Sequence, residues 1–339
     1  MHFVVYAPFA ASVLLAACGP RLAARMPPAT GTRLLLTAGL VCALTSSLSL
    51  ALLAATLIGR LPLVAAVGAW SGERLHHADP VMPAIAKLAM LALAMPAAAV
   101  AWTTARRAAA LHRARRACAR LAPNTGRLVV LDQPAIEAFA VPGGRKDHGR
   151  IVVSTGMLRI LGAAERRVLL AHETAHLHHR HYRHRTLAAL VAAADPLLAT
   201  LPAAIHHLTE RWADEDAAAT VGDRPLAARA LARAALAARH DGRPSPRSAV
   251  LCFGRNDVPG RVRALLAGTP ARRPIIAAVP AAILTACLVG VGVAGHDTAH
   301  LFDQARDGYH AERLGIATAT RHEARHLLTV LDHRIDESR

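Results

Sequence analysis

Val168-Leu169-Leu170-Ala171-His172-Glu173-Thr174-Ala175-His176 is the stretch on which the reading of this chain turns. Its apolar residues recur at helical spacing, and on a helix residues four apart share a face. His172 and His176 therefore present two imidazoles in one direction, as two ligands of one Zn²⁺ require. Glu173, one step round the helix, is then placed to act as a base on a water at the metal. The bare motif is modest evidence. In a chain with 20 His, a shuffled sequence of the same composition would contain HExxH roughly 3% of the time.

A catalytic zinc site takes three protein ligands and keeps one position open. Downstream, Glu210-x-x-x-Asp214 sets two carboxylates on one helical face. Glu210 is the candidate third ligand. Asp214 is the candidate acceptor for the distal N–H of a zinc-bound imidazole, His172, which would fix its tautomer. The competing reading is an exposed acidic face shared with Glu215 and Asp216, and the upstream HExxH weighs against it. The histidines that follow the motif, His178, His179, His181 and His184, read as a solvated helix end rather than a second metal site.

The chain carries a second HExxH, His322-Glu323-Ala324-Arg325-His326, with Asp332 six residues on. Thr329 stands where a glycine would let the chain turn after such a helix. Arg321 and Arg325 place positive charge beside the would-be ion. This copy reads as coincidence.

Composition gives the setting. Apolar residues make up 53% of the 339, and aromatics 3%. Leu34 to Ile58 runs 25 residues without a charge and Ile275 to Gly295 runs 21, each enough to cross a bilayer core. Leu88 to Thr104 is a third run, and His2 to Cys18 a shorter first one. Leu15-Ala16-Ala17-Cys18 resembles a lipoprotein processing site, but no Lys or Arg precedes it, so a retained helix is the better reading. The net charge of +17 is not spread as a nucleic-acid surface would be. Arg21, Arg25 and Arg33 lie between the first two runs, and Arg106, Arg107, Arg113, Arg115, Arg116 and Arg120 follow the third, with no acid among either group. The alternate loops are neutral or acidic, which is the positive-inside pattern, and basic residues beside a membrane orient it and touch anionic lipid. The five cysteines form no CxxC pair, so neither a zinc–thiolate site nor a disulfide framework is indicated.

The expected layout is a mainly α, polytopic membrane protein with four transmembrane helices and an α+β zinc protease domain. Three N-terminal spans fill 1–104, a cytoplasmic metallopeptidase domain 105–273, a fourth span 274–295 and a short extracytoplasmic tail 296–339. The N-terminus and tail are expected outside. Within the domain an Arg/Ala-rich helix over 105–121 should lead to strands at Arg127–Asp132, Ala138–Val141 and Arg150–Ser154, then to one helix from Ala163 to Arg183. Thr186 to Ile205, broken by Asp195-Pro196, should form a helical hairpin lying against the membrane or capping the core. The strand from Ile151 to Ser154 is the candidate edge for an extended substrate. Arg261 and Arg263 are candidate oxyanion partners.

Several of these stretches together resemble the BlaR/MecR-type membrane metallopeptidases, with HtpX-type and CAAX-prenyl-type zinc proteases as more distant relatives. The residues that carry the resemblance are Phe139-Ala140-Val141-Pro142-Gly143-Gly144, Ile151 to Leu158, Glu165 to His176, Glu210 to Asp214 and Arg261 to Leu266. The resemblance implies a gluzincin-type fold in a bacterial multi-pass membrane protein with one Zn²⁺. It makes His172, His176 and Glu210 the ligands and Glu173 the general base, with the site facing the cytoplasm. The implied activity is endopeptidase cleavage of a cytoplasmic or membrane-proximal protein. In this family the partner would be a DNA-binding transcriptional repressor in a signalling pathway. HtpX-like membrane quality control is the second reading, and a catalytically silent membrane signalling scaffold is one of another class. The antibiotic-sensing members carry a large extracellular penicillin-binding domain after the last span. The 44 residues here are too few for one, so direct β-lactam sensing is not expected.

Overall fold

A stretch of 25 uncharged residues in Leu, Ala and Ser has little choice but to form a helix once water is excluded, because its backbone groups must bond to each other. The computed structural model describes residues 4–70, 75, 83–121, 126–144, 149–240, 257–268, 278, 280–307 and 309–310. The second HExxH and most of the tail lie outside them. Ala7–Arg25 is helix α1, Pro28–Gly59 is α2, Pro62–Gly68 is the short α3, and Pro83–Leu121 is α4. Helix α4 runs from the third apolar stretch straight through the arginine-rich segment. The expected separate helix at 105–121 is therefore the end of a single 39-residue one. Its Ala, Arg and Leu are all strong helix formers, and neither Gly nor Pro follows Pro96 to stop it.

The sheet has three strands, Leu128–Leu131 (β1), Ala138–Val141 (β2) and Arg150–Ser154 (β3), in the order β1-β3-β2. β3 pairs with β1 in parallel and with β2 antiparallel. This corrects the expectation that Ile151 to Ser154 forms a substrate edge: β3 is the central strand and its ladder partners are already supplied. Its residues explain why. Ile151 and Val153 face one core with Met157 and Leu161, while Val152 faces another with Cys118, Val129, Leu131, Phe139 and Val141. A strand buried on both faces reads as a continuous apolar run, as Ile-Val-Val does. β1 alternates exposed and buried residues instead.

Ser154 caps the next helix, Thr155–Ile160 (α5), by accepting from the Met157 N–H at 3.0 Å. Helix α6 then spans Ala163–His178 and is started by Glu165, which accepts the Gly162 N–H at 2.8 Å. The expected helix to Arg183 does not run unbroken. Arg180 adopts a left-handed conformation (φ 51°), and a new helix, His181–Ala194 (α7), begins. After Asp195, a 3-10 turn over Pro196–Leu198 leads to Leu201–Val221 (α8), followed by Arg224–His240 (α9), Val258–Ala267 (α10) and the long Pro280–Asp307 (α11). Among the described residues, α1, α2, α4 and α11 are the helices long and apolar enough to cross a membrane.

The chain divides into two compact units. One comprises 1–7, 47–94 and 288–339, the other 8–46 and 95–287. In the first, Val5, Leu53, Ala89 and Ala294 form a small core, and the Trp70 indole N–H donates to the Gly59 carbonyl at 2.8 Å. In the second, the α7–α8 hairpin packs along α1 and α2. Val191, Leu198, Leu201, Ile205 and Leu208 share a core with Leu15, Leu22, Leu35 and Cys42. At the hairpin turn Asp195 is buried, and its Oδ2 accepts from Ser12 Oγ at 2.6 Å and Ser46 Oγ at 3.2 Å. Gly39 makes the close approach possible, since a Cβ there would meet the Leu201 side chain at 2.5 Å. The Sγ atoms of Cys42 in α2 and Cys287 in α11 lie 3.8 Å apart in the same core.

Candidate metal centre

The HExxH helix is packed on three sides. Leu169, Leu170 and Leu177 of α6 lie on the sheet, and Val168 lies on Ala217, Ala218 and the alanines of α9. The histidine-bearing face also looks at α8, at the turn that carries Glu210. His172 Nε2 and His176 Nε2 lie 3.1 Å apart there. Glu210, from α8, brings Oε1 to 3.4 Å from His176 Nε2 and Oε2 to 3.9 Å from His172 Nε2. Around a tetrahedral ion with bonds of about 2.0–2.1 Å, donors sit about 3.3 Å from each other. The three side chains therefore fit a zinc ion without rearrangement of the helices. Among the described residues they are the one group of three potential ligands whose donor atoms lie within 4.8 Å of one another.

The surroundings hold this triangle in place. Asp214 Oδ1 is 3.0 Å from His172 Nδ1, so the carboxylate stands on the far nitrogen of that ring. Arg261, from α10, donates Nε and Nη2 to the two oxygens of Asp214 at 2.7 Å each, and its Nη1 sits 2.8 Å from Glu210 Oε2. Arg185, from α7, donates Nη2 to Glu210 Oε1 at 2.5 Å and Nε to Thr209 Oγ1 at 2.9 Å. Burial would raise the carboxyl of Glu210, yet Arg261 outweighs it and holds the group well below the usual range. Asp214 is likewise held down to about 2, burial being overcome by Arg261. Burial works against protonation of His172, but Asp214 and Glu210 outweigh it and the net shift is upward. Burial takes His176 the other way, down to about 3. Glu173 is buried, and burial pushes its carboxyl up to about 6.

A comparison with known proteins adds the following. Residues 101–238 match the sequence model of peptidase family M48. That M48-like segment takes in the sheet, the HExxH helix, Glu210 and Asp214. A protease HtpX homolog of Acaryochloris marina is 41% identical over 75 residues, 22% of this chain and 25% of that protein. Homologs of the same name from Burkholderia thailandensis and Burkholderia cenocepacia are 37% identical over 73 residues, again 22% of this chain and 25% of theirs. The chain thus spans about a quarter of the length of the curated relatives it matches. No solved structure matches it.

Of the residues singled out in the sequence, His172, Glu173, His176, Glu210, Asp214 and Arg261 gather around this one space, and Arg263 does not. Arg263 Nε reaches the Pro259 carbonyl at 3.3 Å on the exposed side of α10. Arg261 does point into the centre, but all three of its nitrogens face carboxylates. The reading of the histidine run as a solvated end needs correction: His181 is 1% exposed, and its Nδ1 lies 2.7 Å from His176 Nδ1. His179 and His184 gather with His181 around the Trp212 ring, and His179 Nε2 meets Asp216 Oδ2 at 2.5 Å. Sequence reasoning missed Arg185 and misread His181. Nothing in local periodicity marks Arg185. The spacing of His181 after the motif was visible, but its burial depends on the left-handed break at Arg180.

Proposed function

We propose that this chain is an integral membrane zinc endopeptidase of the gluzincin type. His172, His176 and Glu210 would hold one Zn²⁺, Glu173 would be the general base, and Asp214 would orient His172. The observation that carries the reading is the donor triangle of 3.1, 3.4 and 3.9 Å, set beside a buried glutamate on the same helix. The match of residues 101–238 to peptidase family M48 supports it independently. Four long apolar helices support a multi-pass membrane protein, and the alternation of arginine-rich and neutral loops supports a cytoplasmic catalytic segment with the N-terminus and tail outside.

When bound, the ion supplies Lewis acidity to the reacting water and the scissile carbonyl. Glu173 takes a proton from that water and returns it to the leaving amine, so water adds across the C–N bond and the carboxylate is restored. Burial raises this carboxyl, which makes it a stronger base than an exposed glutamate. An extended substrate fits β2 better than β3, because β2 is the edge strand that packs against the HExxH helix.

The substrate is a protein at or near the membrane surface. Arg211, next to Glu210, donates to the carbonyls of Ala23 and Ala24 at the end of α1, at 3.0 and 3.3 Å, and Arg33 lies over Trp212 at 5.7 Å. These contacts bring the stretch of α8 that carries Glu210 beside the arginine-bearing ends of α1 and α2. A DNA-binding repressor is the narrower candidate partner. Membrane protein quality control is the second reading, favoured by the names of the matched relatives. A silent scaffold would have no need of Glu173 beside three intact donors.

The test is direct. Purified protein should hold one zinc per chain and cleave casein, and Glu173→Ala should keep the zinc and lose the cleavage. Loss of zinc from His322→Ala but not from His172→Ala would sink the assignment. Mass spectrometry of proteins that accumulate in a Glu173→Ala strain separates a repressor from damaged membrane proteins.

A further inference from the structure

The two candidate imidazole ligands are backed by different chemistry. His172 turns its Nδ1 to the carboxylate of Asp214 at 3.0 Å. His176 turns its Nδ1 to another ring, His181 Nδ1, at 2.7 Å. A neutral imidazole that coordinates through Nε2 carries its proton on Nδ1. His176 must then donate, and His181 must accept with its own proton on Nε2. Among the described residues that nitrogen is buried without a hydrogen-bond partner, and the ring lies beside the Trp212 indole at 5.1 Å between centroids.

The local backbone is arranged for this contact. In an unbroken α-helix a residue five positions on lies about 140° round the cylinder and cannot face its partner. The left-handed Arg180 (φ 51°) ends α6 and starts α7 at His181, which folds that side chain back onto His176. A left-handed conformation at a non-glycine residue is strained, and here it coincides with the one turn that brings the two rings together.

The geometry points to His181 as a positioning residue for the metal centre: a neutral imidazole acceptor that fixes the tautomer and orientation of His176. The inference rests on the zinc reading given above. It makes the centre asymmetric, with an anion behind one imidazole ligand and an uncharged ring behind the other. His176 is thereby the less basic of the two ligands, since hydrogen bonding to a carboxylate strengthens a ligand more than bonding to a neutral acceptor.

The experiment uses the full chain in detergent, with zinc affinity from chelator competition and the visible spectrum of the Co²⁺-loaded protein as readouts. His181→Phe keeps a buried ring but removes the acceptor, whereas His181→Asn puts an amide oxygen close to the position of Nδ1. His181→Phe should weaken zinc binding about 10–100-fold and alter the Co²⁺ bands, and His181→Asn should recover most of both. Equal loss in the two variants would assign His181 to packing alone, as would a His181→Phe protein with wild-type affinity and spectrum. Thermal unfolding of the metal-free forms identifies a variant that merely fails to fold, and His181→Leu then replaces Phe as the acceptor-free form. Absence of zinc binding in the wild type would overturn the metal reading itself, a result distinct from wild-type binding that His181 variants leave unchanged.

Discussion

Arg261 grips Asp214 with two parallel hydrogen bonds of 2.7 Å, in a setting where both side chains are less than a tenth exposed. A buried carboxylate survives in such a place only with its counter-ion. Arg261 also reaches Glu210, so one guanidinium stabilises the third candidate ligand and the residue behind the first. Arg261→Met should therefore destabilise the fold by about 3–5 kcal/mol, read as a lower denaturation midpoint. Arg261→Lys should recover only part, because an ammonium cannot reproduce the bidentate fork.

Asp214→Asn removes the anion behind His172 while keeping the shape of the side chain. Zinc affinity should fall about 10–100-fold, measured by competition with a chelator of known strength. A variant that binds zinc as tightly as the wild type would show that Asp214 only neutralises Arg261.

Removing the metal should leave a folded but less stable protein, because the donors are held by neighbouring side chains as well. Zinc at a hundred times its dissociation constant should add about 2.7 kcal/mol, seen as a rise in the thermal midpoint. His172→Ala should abolish that rise and His322→Ala should not.

At the turn of the hairpin, Asp195→Ala removes the acceptor shared by the buried hydroxyls of Ser12 and Ser46 and leaves them only each other, at 3.5 Å. Each unsatisfied group costs about 1–3 kcal/mol. The variant should unfold at lower denaturant in detergent, while Asp195→Asn, which keeps an acceptor oxygen, should lose less.

The elements of the centre could be read from the chain because each depends on local spacing. His172, Glu173 and His176 lie within one turn, and Glu210 and Asp214 within another. The four long helices follow from uncharged runs in the same way. What could not be read is what tertiary packing decides. The place of β3 at the centre of the sheet was latent in its unalternating Ile151-Val152-Val153. The break at Arg180 has no glycine or proline to announce it. Arg185 and Arg261 reach Glu210 from two helices that flank it at sequence distances of 25 and 51 residues, and no periodicity encodes such a meeting.

The 245 positions that separate Cys42 from Cys287 set a clock on assembly. A ribosome adding about 5–20 residues per second needs roughly 12–50 seconds to travel from one thiol to the other. Over that interval α2 sits in place without α11. Its inward face is met first by the α7–α8 hairpin, whose Val191 and Leu201 emerge earlier. The order of synthesis therefore favours packing the hairpin that carries Glu210 onto α1 and α2 before α11 arrives.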